Sequence, residues 1–166
     1  MRVLAIDPSL SSLGYCIFED GLLYDFGVIQ PLNKADEQHI KLYQLANRLQ
    51  QIIDEENIDK VVLEGLSFGS ISSSVRILGA IYFQILILCH INNLEWEEFA
   101  PTAVKKSATG SGKAKKPDMW KALPEKLQQK IEVEFKAKNS GKFDICDSFH
   151  LGKYYYEKFK GGNYVG

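Results

Sequence analysis

The sequence predicts an α/β layer fold, in which helices flank a mixed β-sheet. Two patterns predict it: short apolar runs typical of buried strands, and longer segments in which apolar residues recur every three or four positions. The strand-like runs open the chain and then alternate with the helical segments. An early hairpin followed by helical crossovers makes the sheet mixed, because crossovers join parallel strands and hairpins join antiparallel ones.

The chain begins with three predicted strands. Residues 3–6 form an uninterrupted apolar run that ends at Asp7 and Pro8, which is typical of a strand buried on both faces. Residues 15–18 and 22–29 are rich in β-forming residues and flank a short polar turn. They therefore predict an antiparallel hairpin.

Two further strands and four helices follow. Apolar residues spaced by threes and fours within 36–56 predict a helix with one stripe on the sheet. Residues 59–63 predict a strand that runs directly into a second acid, Glu64. The remaining segments predict, in chain order, a helix at 71–91, a fifth strand at 96–99, and helices at 123–138 and 144–159.

The segment 71–91 is apolar around most of its predicted helical circumference. One apolar face includes Val75, Leu78, Tyr82, Ile85 and Cys89, and another consists of Ile77, Ile81 and Leu88. We expect one of these faces to meet the sheet and the other to meet a partner subunit.

Composition limits the class of protein. The chain has 166 residues, of which 45% are hydrophobic and 25% charged, with a net charge of −1, as in ordinary globular proteins. We expect one domain, residues 1–160, and a flexible tail, residues 161–166. Three scattered cysteines without C-x-x-C spacing predict buried thiols. The sequence shows neither a signal peptide nor an apolar run long enough for a membrane span, so we expect a cytoplasmic protein.

Charge is distributed unevenly along the chain. Residues 1–100 hold 6 basic and 14 acidic side chains, whereas residues 101–166 hold 14 basic and 7 acidic ones. A polyanionic partner or a solvated helical surface explains the basic excess equally well. Interleaved Ser, Thr and Gly residues favour a flexible loop that follows a phosphate backbone, and this loop carries Lys105, Lys106, Lys113, Lys115 and Lys116.

Four carboxylates occupy positions at which a ligand site is expected. Asp7 and Glu64 each end an apolar strand, and the carboxyl ends of parallel strands border the ligand crevice of such sheets. Asp144 and Asp147 are three residues apart and share one face of a predicted helix. Taken singly, each acid has a structural explanation, either as an exposed strand end or as an N-cap and first-turn acid.

The combination of these acids indicates a metal site. Converging carboxylates repel one another and raise each other's pKa unless a cation lies among them. Mg²⁺ suits such a set, because it accepts a few carboxylates, waters and substrate phosphate oxygens. A pair of such ions supports phosphodiester hydrolysis by an activated water, for which no serine or cysteine nucleophile is needed.

His150 follows Asp147 by three residues. Two roles are open for it: a structural histidine with satisfied hydrogen bonds, or a group that orients water or assists product release near the acids. Cys146, between the two helical acids, is expected to point into the core.

Four segments, in their order and spacing, resemble the RuvC-type Holliday junction resolvases of the ribonuclease H-like superfamily. They are AIDPSLSSLGY (5–15), VVLEGLSFGS (61–70), APTAVKKSATGSGKAKKPDM (100–119) and DICDSFHLGKYY (144–155). The resemblance covers nearly the whole chain, and the ordered set is more specific than any single motif. It implies a bacterial or phage protein that acts in the cytoplasm of a bacterial cell or an infected host.

The resemblance also implies a fold, an assembly and an activity. The fold is ribonuclease H-like, with a five-stranded mixed sheet flanked by helices. The assembly is a homodimer formed through the helix 74–91. The activity is structure-selective endonuclease cleavage of four-way junctions and other branched DNA. The acids Asp7, Glu64, Asp144 and Asp147 are implied to be catalytic and to bind Mg²⁺, or Mn²⁺ in its place, with two ions per site.

DNA contacts follow from the same resemblance. Lys105 and Lys116 match the lysine-bearing segment of the family, and Lys106, Lys113 and Lys115 add positive charge. Phe68 is the candidate for the aromatic side chain that contacts the junction.

Three other functions are compatible with the residues. One is a ribonuclease H-like nuclease that acts on RNA or an RNA–DNA hybrid. Another is a phosphotransferase of the actin and sugar-kinase type, although that architecture duplicates the domain and this chain supplies only one. The third is a dimer that binds branched DNA without cutting it, which the presence of all four acids disfavours.

Overall fold

The computed structural model describes residues 1–9, 11–66, 73–135 and 141–159, with the backbone alone at 73 and 74. Phe68 and the predicted tail at 161–166 lie outside these ranges. Within them, no helix is long and apolar enough to cross a membrane.

The described residues form one five-stranded sheet with the order β3-β2-β1-β4-β5. The strands are β1 (Arg2–Asp7), β2 (Leu13–Glu19), β3 (Leu22–Ile29), β4 (Lys60–Glu64) and β5 (Glu95–Phe99). β1, β2 and β3 pair antiparallel, while β4 is parallel to both β1 and β5. The predicted mixed sheet is therefore confirmed, with the antiparallel hairpin on one side and parallel crossovers on the other.

Six helices accompany the sheet in the described residues. They are α1 (Gln38–Glu56), α2 (Ser73–Ile91), α3 (Pro101–Thr109), α4 (Lys116–Lys121), α5 (Glu125–Glu134) and α6 (Lys142–Phe159).

Side chains of the central strands alternate between two apolar clusters, one on each face of the sheet. In β1, Val3 and Ala5 join the cluster that contains α6, whereas Leu4 and Ile6 join the cluster that contains α1 and α2. All four side chains are fully buried. Because successive strand residues point to opposite faces, this alternation fixes the face to which the residue after Ile6 points.

Two glycines allow α6 to lie directly on β2. A Cβ atom on Gly14 would lie 2.3 Å from the backbone carbonyl of Asp144, and one on Gly152 would lie 2.2 Å from the ring of Phe18. Both distances are far shorter than a normal carbon contact, so only glycine permits this approach. Gly14 is also the β2 partner of Asp7, which brings the start of α6 next to the end of β1.

The predicted lysine loop is largely helical, so that prediction was wrong. Lys105 and Lys106 lie in α3, which Pro101 begins and which ends at Gly110 in a left-handed conformation. Val104 is buried and Ala108 packs against the same core, so the helix has an apolar face that the many lysines obscured. Lys116 opens α4, which leaves Lys113 and Lys115 in the connection between the two helices.

The outward apolar stripe of α2 also differs from its prediction. It consists of Phe83, Ile87 and Ile91, whose exposed fractions are 61%, 58% and 64%. Ile81, predicted for a second face with Ile77 and Leu88, is buried with the sheet-facing residues. The reason is that α2 packs against α1 and β5 together, so the covered arc of the helix is wider than one stripe.

Candidate active site

Asp7 and Glu64 lie side by side on the α6 face of the sheet. β1 and β4 are parallel with Ile6 opposite Leu63, so the acids that follow occupy neighbouring strand ends. Asp7 continues the alternation of Val3 and Ala5, and both of those residues face α6. Glu64 shares its face with Val62, which belongs to the same cluster. The strand pattern alone therefore delivers two carboxylates to one place.

Helix α6 supplies the other two acids. It begins at Lys142, so Asp144 lies inside the first helical turn and not at the N-cap. Asp147 lines a small cavity together with Asp7, Glu64 and Lys105. The apolar walls of this cavity are Val104, Met119 and Leu151. The structure thus brings three of the four predicted acids into one cavity, with Asp144 close by.

The pKa of Asp7 is raised well above its ordinary value. Burial is the largest cause, and the charges of Asp147, Glu64 and Asp144 add to it, while Lys116 opposes it. All four acids therefore interact at this site. Burial likewise raises the pKa of Glu64, against the effect of Lys105, a hydrogen bond from Asp7, and Lys116.

The pKa of Asp147 is raised for similar reasons. Burial and the charge of Glu64 raise its pKa to about 6, while Lys116 and Lys105 pull it down and Asp144 raises it slightly. Buried carboxyl groups with raised pKa values are costly to ionise, because the protein alone does not neutralise their negative charge. A bound cation removes that penalty.

The carboxylates suit a hard divalent ion that retains waters. Among the described residues, no three or more His, Cys, Asp or Glu side chains are already arranged to hold a metal ion. Mg²⁺ does not require such a cage, because it binds through one or two carboxylates and completes its octahedron with water and substrate phosphate. An all-oxygen set of carboxylate donors has that character.

The five predicted lysines divide into two groups. Lys105 lines the cavity, and Lys116 acts on the pKa of Asp7, Glu64 and Asp147. The other three lysines are exposed and do not line this cavity: Lys106, Lys113 and Lys115.

His150 is a structural residue of the core, 2% exposed. Its Nε2 donates a hydrogen bond of 2.9 Å to the carbonyl oxygen of Met119 in α4, while its Nδ1 has no partner in the described part of the chain. Burial lowers the pKa of His150, so the ring is neutral. The hydrogen bond directs the ring toward α4, and His150 does not line the cavity that the acids share. This bond holds Met119 at the wall of the cavity.

Cys16, Cys89 and Cys146 are all buried free thiols, as predicted. Sequence reasoning missed two half-buried aromatic side chains near the acids, Trp120 and Phe143. The position of Phe143 directly before Asp144 was the available signal.

Comparison with known proteins shows the family to which the chain belongs. The family model of the crossover junction endodeoxyribonuclease RuvC matches residues 3–139, a span that includes Asp7 and Glu64 and ends before Asp144. The chain is 32% identical over 127 residues to the crossover junction endodeoxyribonuclease RuvC of Prochlorococcus marinus subsp. pastoris, covering 74% of this chain and 80% of that protein. The protein of the same name from Cytophaga hutchinsonii is 30% identical over 165 residues, covering 96% of this chain and 81% of the relative.

A solved structure confirms the ribonuclease H-like fold. Thermus thermophilus RuvC in complex with Holliday junction substrate matches with a TM-score of 0.70 at 15% identity, over 93% of this chain and 92% of that one. The chain therefore belongs to the RuvC family of crossover junction endodeoxyribonucleases, which are nucleases that depend on divalent metal ions.

Proposed function

We propose that this chain resolves Holliday junctions by metal-dependent hydrolysis of a phosphodiester bond of the DNA. The proposed catalytic residues are Asp7, Glu64, Asp144 and Asp147. The observation that carries the proposal is the convergence of Asp7, Glu64 and Asp147 on one cavity. Burial raises the pKa of all three, and repulsion from neighbouring carboxylates adds to this effect for Asp7 and Asp147. A relative of the same fold has been solved in complex with Holliday junction substrate.

The metal we propose is Mg²⁺, with Mn²⁺ as a substitute and two ions per site. Such a pair, when bound, supplies an activated water and stabilises the leaving 3′ oxygen. The carboxylates that would hold the ions are those of Asp7 on β1, Glu64 on β4, and Asp144 and Asp147 on α6. Met119, Val104 and Leu151 wall the cavity with apolar surface, which limits access of bulk water and strengthens the electrostatic interactions within it.

Lys105 and Lys116 are proposed to hold the substrate phosphates at the cavity. Both ammonium groups already act on the pKa of Glu64 and Asp147, so they lie within electrostatic range of the reacting centre. Lysines that contact phosphates position DNA without reading its bases. Lys106, Lys113 and Lys115 extend this positive surface along α3 and its connection to α4.

The enzyme is proposed to act as a homodimer that meets through α2. Phe83, Ile87 and Ile91 follow one another every four residues and leave an apolar stripe on the surface of this helix. A stripe of this kind on a self-complementary helix suits a two-fold interface. Two sites related by that axis can cut the two strands of like polarity in a symmetrical four-way junction.

The dimer is tested by Ile87→Glu. We expect the variant to be monomeric, because burying an unpaired carboxylate costs about 3–5 kcal/mol and a two-fold dimer would bury two of them. One such carboxylate alone raises the dissociation constant by roughly two to four orders of magnitude. Sedimentation equilibrium measures this constant. The matched control is Val133→Glu on α5, since Val133 is 63% exposed. A dimeric Ile87→Glu protein, or a monomeric control, contradicts the α2 interface.

Substrate selection is tested with a panel of nucleic acids. The wild-type protein is incubated with a four-way DNA junction, a fork, a linear duplex and an RNA–DNA hybrid at equal salt, with Mg²⁺, with Mn²⁺ or with a chelator. We expect paired cuts near the crossover of the junction, no cutting under chelation, and little cutting of linear duplex or hybrid. Preferential cutting of the hybrid contradicts the proposal in favour of the ribonuclease alternative.

A further inference from the structure

Two aromatic side chains and two lysines form a cluster at the junction of α4 and α6. Its members, called here the aromatic–lysine cluster, are Lys116, Trp120, Lys142 and Phe143. The rings of Trp120 and Phe143 meet edge to face with centroids 6.1 Å apart. The Nζ atom of Lys142 lies 4.7 Å from the Trp120 centroid and 5.3 Å from that of Phe143. The Nζ atom of Lys116 lies 5.6 Å from the Phe143 centroid.

The cluster borders the carboxylates. Phe143 immediately precedes Asp144 on α6, and Lys116 also acts on the pKa of Asp7 and Asp147. Met119, next to Trp120, lines the cavity itself. A strand whose phosphate lies among the acids therefore has a neighbouring nucleotide within reach of the rings.

The environment of the rings differs from that of core aromatics. Trp120 packs partly against the core, yet both it and Phe143 remain half-buried, while Phe18 and Phe149 are almost fully covered. Ammonium groups, one of them exposed, lie over the ring faces where a core would place aliphatic groups. Rings combined with lysines in this way offer a π surface to a base and positive charge to its phosphate.

We propose that the aromatic–lysine cluster binds an unpaired DNA base next to the cleaved phosphate. The base stacks on the exposed surface of Trp120 and Phe143. The flanking phosphates bind Lys116 and Lys142, whose ammonium groups then leave the ring faces. An unpaired base is required, because the faces of bases in a continuous duplex are already stacked. The inference rests on the proposed function, since a crossover is where a junction offers such bases.

Tryptophan fluorescence tests this contact directly. The chain contains only two tryptophans, so Trp96→Phe leaves Trp120 as the single reporter and Trp120→Phe leaves Trp96. Trp96 lies on β5 and is 42% exposed, which makes it a matched control. Both are placed in an Asp7→Asn background without divalent ions, so that DNA binds uncut. We expect a four-way junction to quench Trp120 strongly, a linear duplex to quench it weakly, and neither to quench Trp96 comparably.

Affinity gives a second readout. Stacking is worth about 1–3 kcal/mol per base, so Trp120→Ala should weaken junction binding by roughly 5- to 150-fold, whereas Trp120→Phe should retain most of it. Phe143→Leu keeps a sizeable apolar side chain without the ring and is expected to lose affinity at an unchanged melting temperature, which separates stacking from misfolding.

The inference is overturned if Trp120 is not quenched, if duplex quenches it as well as the junction does, or if Trp120→Ala binds like its parent. A protein with Trp120 intact that binds no junction contradicts the proposed function itself and this inference with it. Junction cutting that persists in a Trp120→Ala protein of unchanged affinity overturns the inference alone.

Discussion

Asp7→Asn is expected to slow junction cleavage by about 10² to 10⁴-fold while the variant still binds the junction. Asparagine keeps the shape of the side chain but removes the negative charge that a divalent ion requires. Asp7 lies at the centre of the acids, since Asp147, Glu64 and Asp144 all act on its pKa. The lysines that we assign to phosphate binding are untouched, so binding should persist. Single-turnover cleavage and a gel-shift titration measure the two properties separately.

The matched control is Asp54→Asn. Asp54 is an exposed aspartate on α1 that accepts a hydrogen bond from Gln50 and does not line the cavity of the acids. We expect it to cut at the wild-type rate, and we expect Glu64→Gln and Asp147→Asn to behave like Asp7→Asn. Retained cutting in Asp7→Asn, or loss of binding together with cutting in all three site variants, contradicts the assignment of these acids.

The sheet and its two strand-end acids could be predicted from the sequence because their signal is local. Apolar alternation in β1 fixes which residues face α6, and Asp7 follows in that register. The convergence of Asp7 with Glu64 needed only the rule that parallel strands present their carboxyl ends at one edge.

The features that sequence reasoning missed depend on packing between distant segments. The apolar face of α3 contains only Val104 and Ala108, which both pack in the core on the α6 side of the sheet. Two apolar residues are too few to reveal a helical pattern in a lysine-rich segment. His150 has the right spacing from Asp147 for a shared site, but the rotation of α6 points it to the carbonyl of Met119. The pairing of Trp120 with Phe143 required knowing that α4 packs on α6.

Contacts between α4 and α6 also connect the aromatic–lysine cluster with the acids. Lys116 belongs to both, because it lies near the ring of Phe143 and also lowers the pKa of Asp7 and Asp147. The bond from His150 fixes Met119 and with it the short helix that carries Lys116. One buried histidine therefore links α6, which carries Asp144 and Asp147, to α4, which begins at Lys116.

The metal-free protein should become more stable when Asp147 is replaced by Asn. The pKa of Asp147 is about 6 in the folded protein, raised from an ordinary value of 3.8. A carboxyl group with a raised folded pKa favours the folded state below pH 4 and loses that contribution as the pH rises through 6. Without metal, the wild-type protein therefore loses stability between about pH 4 and pH 6, and Asp7 acts in the same direction.

At pH 7.5 in a chelator, we expect Asp147→Asn to unfold at a temperature roughly 3–10 °C above wild type, equivalent to about 1–3 kcal/mol. At pH 4 the difference should largely disappear, because the wild-type carboxyl is then mostly protonated. Calorimetry across this pH range measures the effect, and Asp54→Asn on the surface of α1 should show none of it. Mg²⁺ should reverse the order by stabilising wild type more than the variant, since the ion binds the charge that the substitution removes. A variant less stable than wild type at pH 7.5 without metal would show that the carboxylate of Asp147 stabilises the metal-free fold. That result contradicts the prediction that a cation is needed to offset its charge.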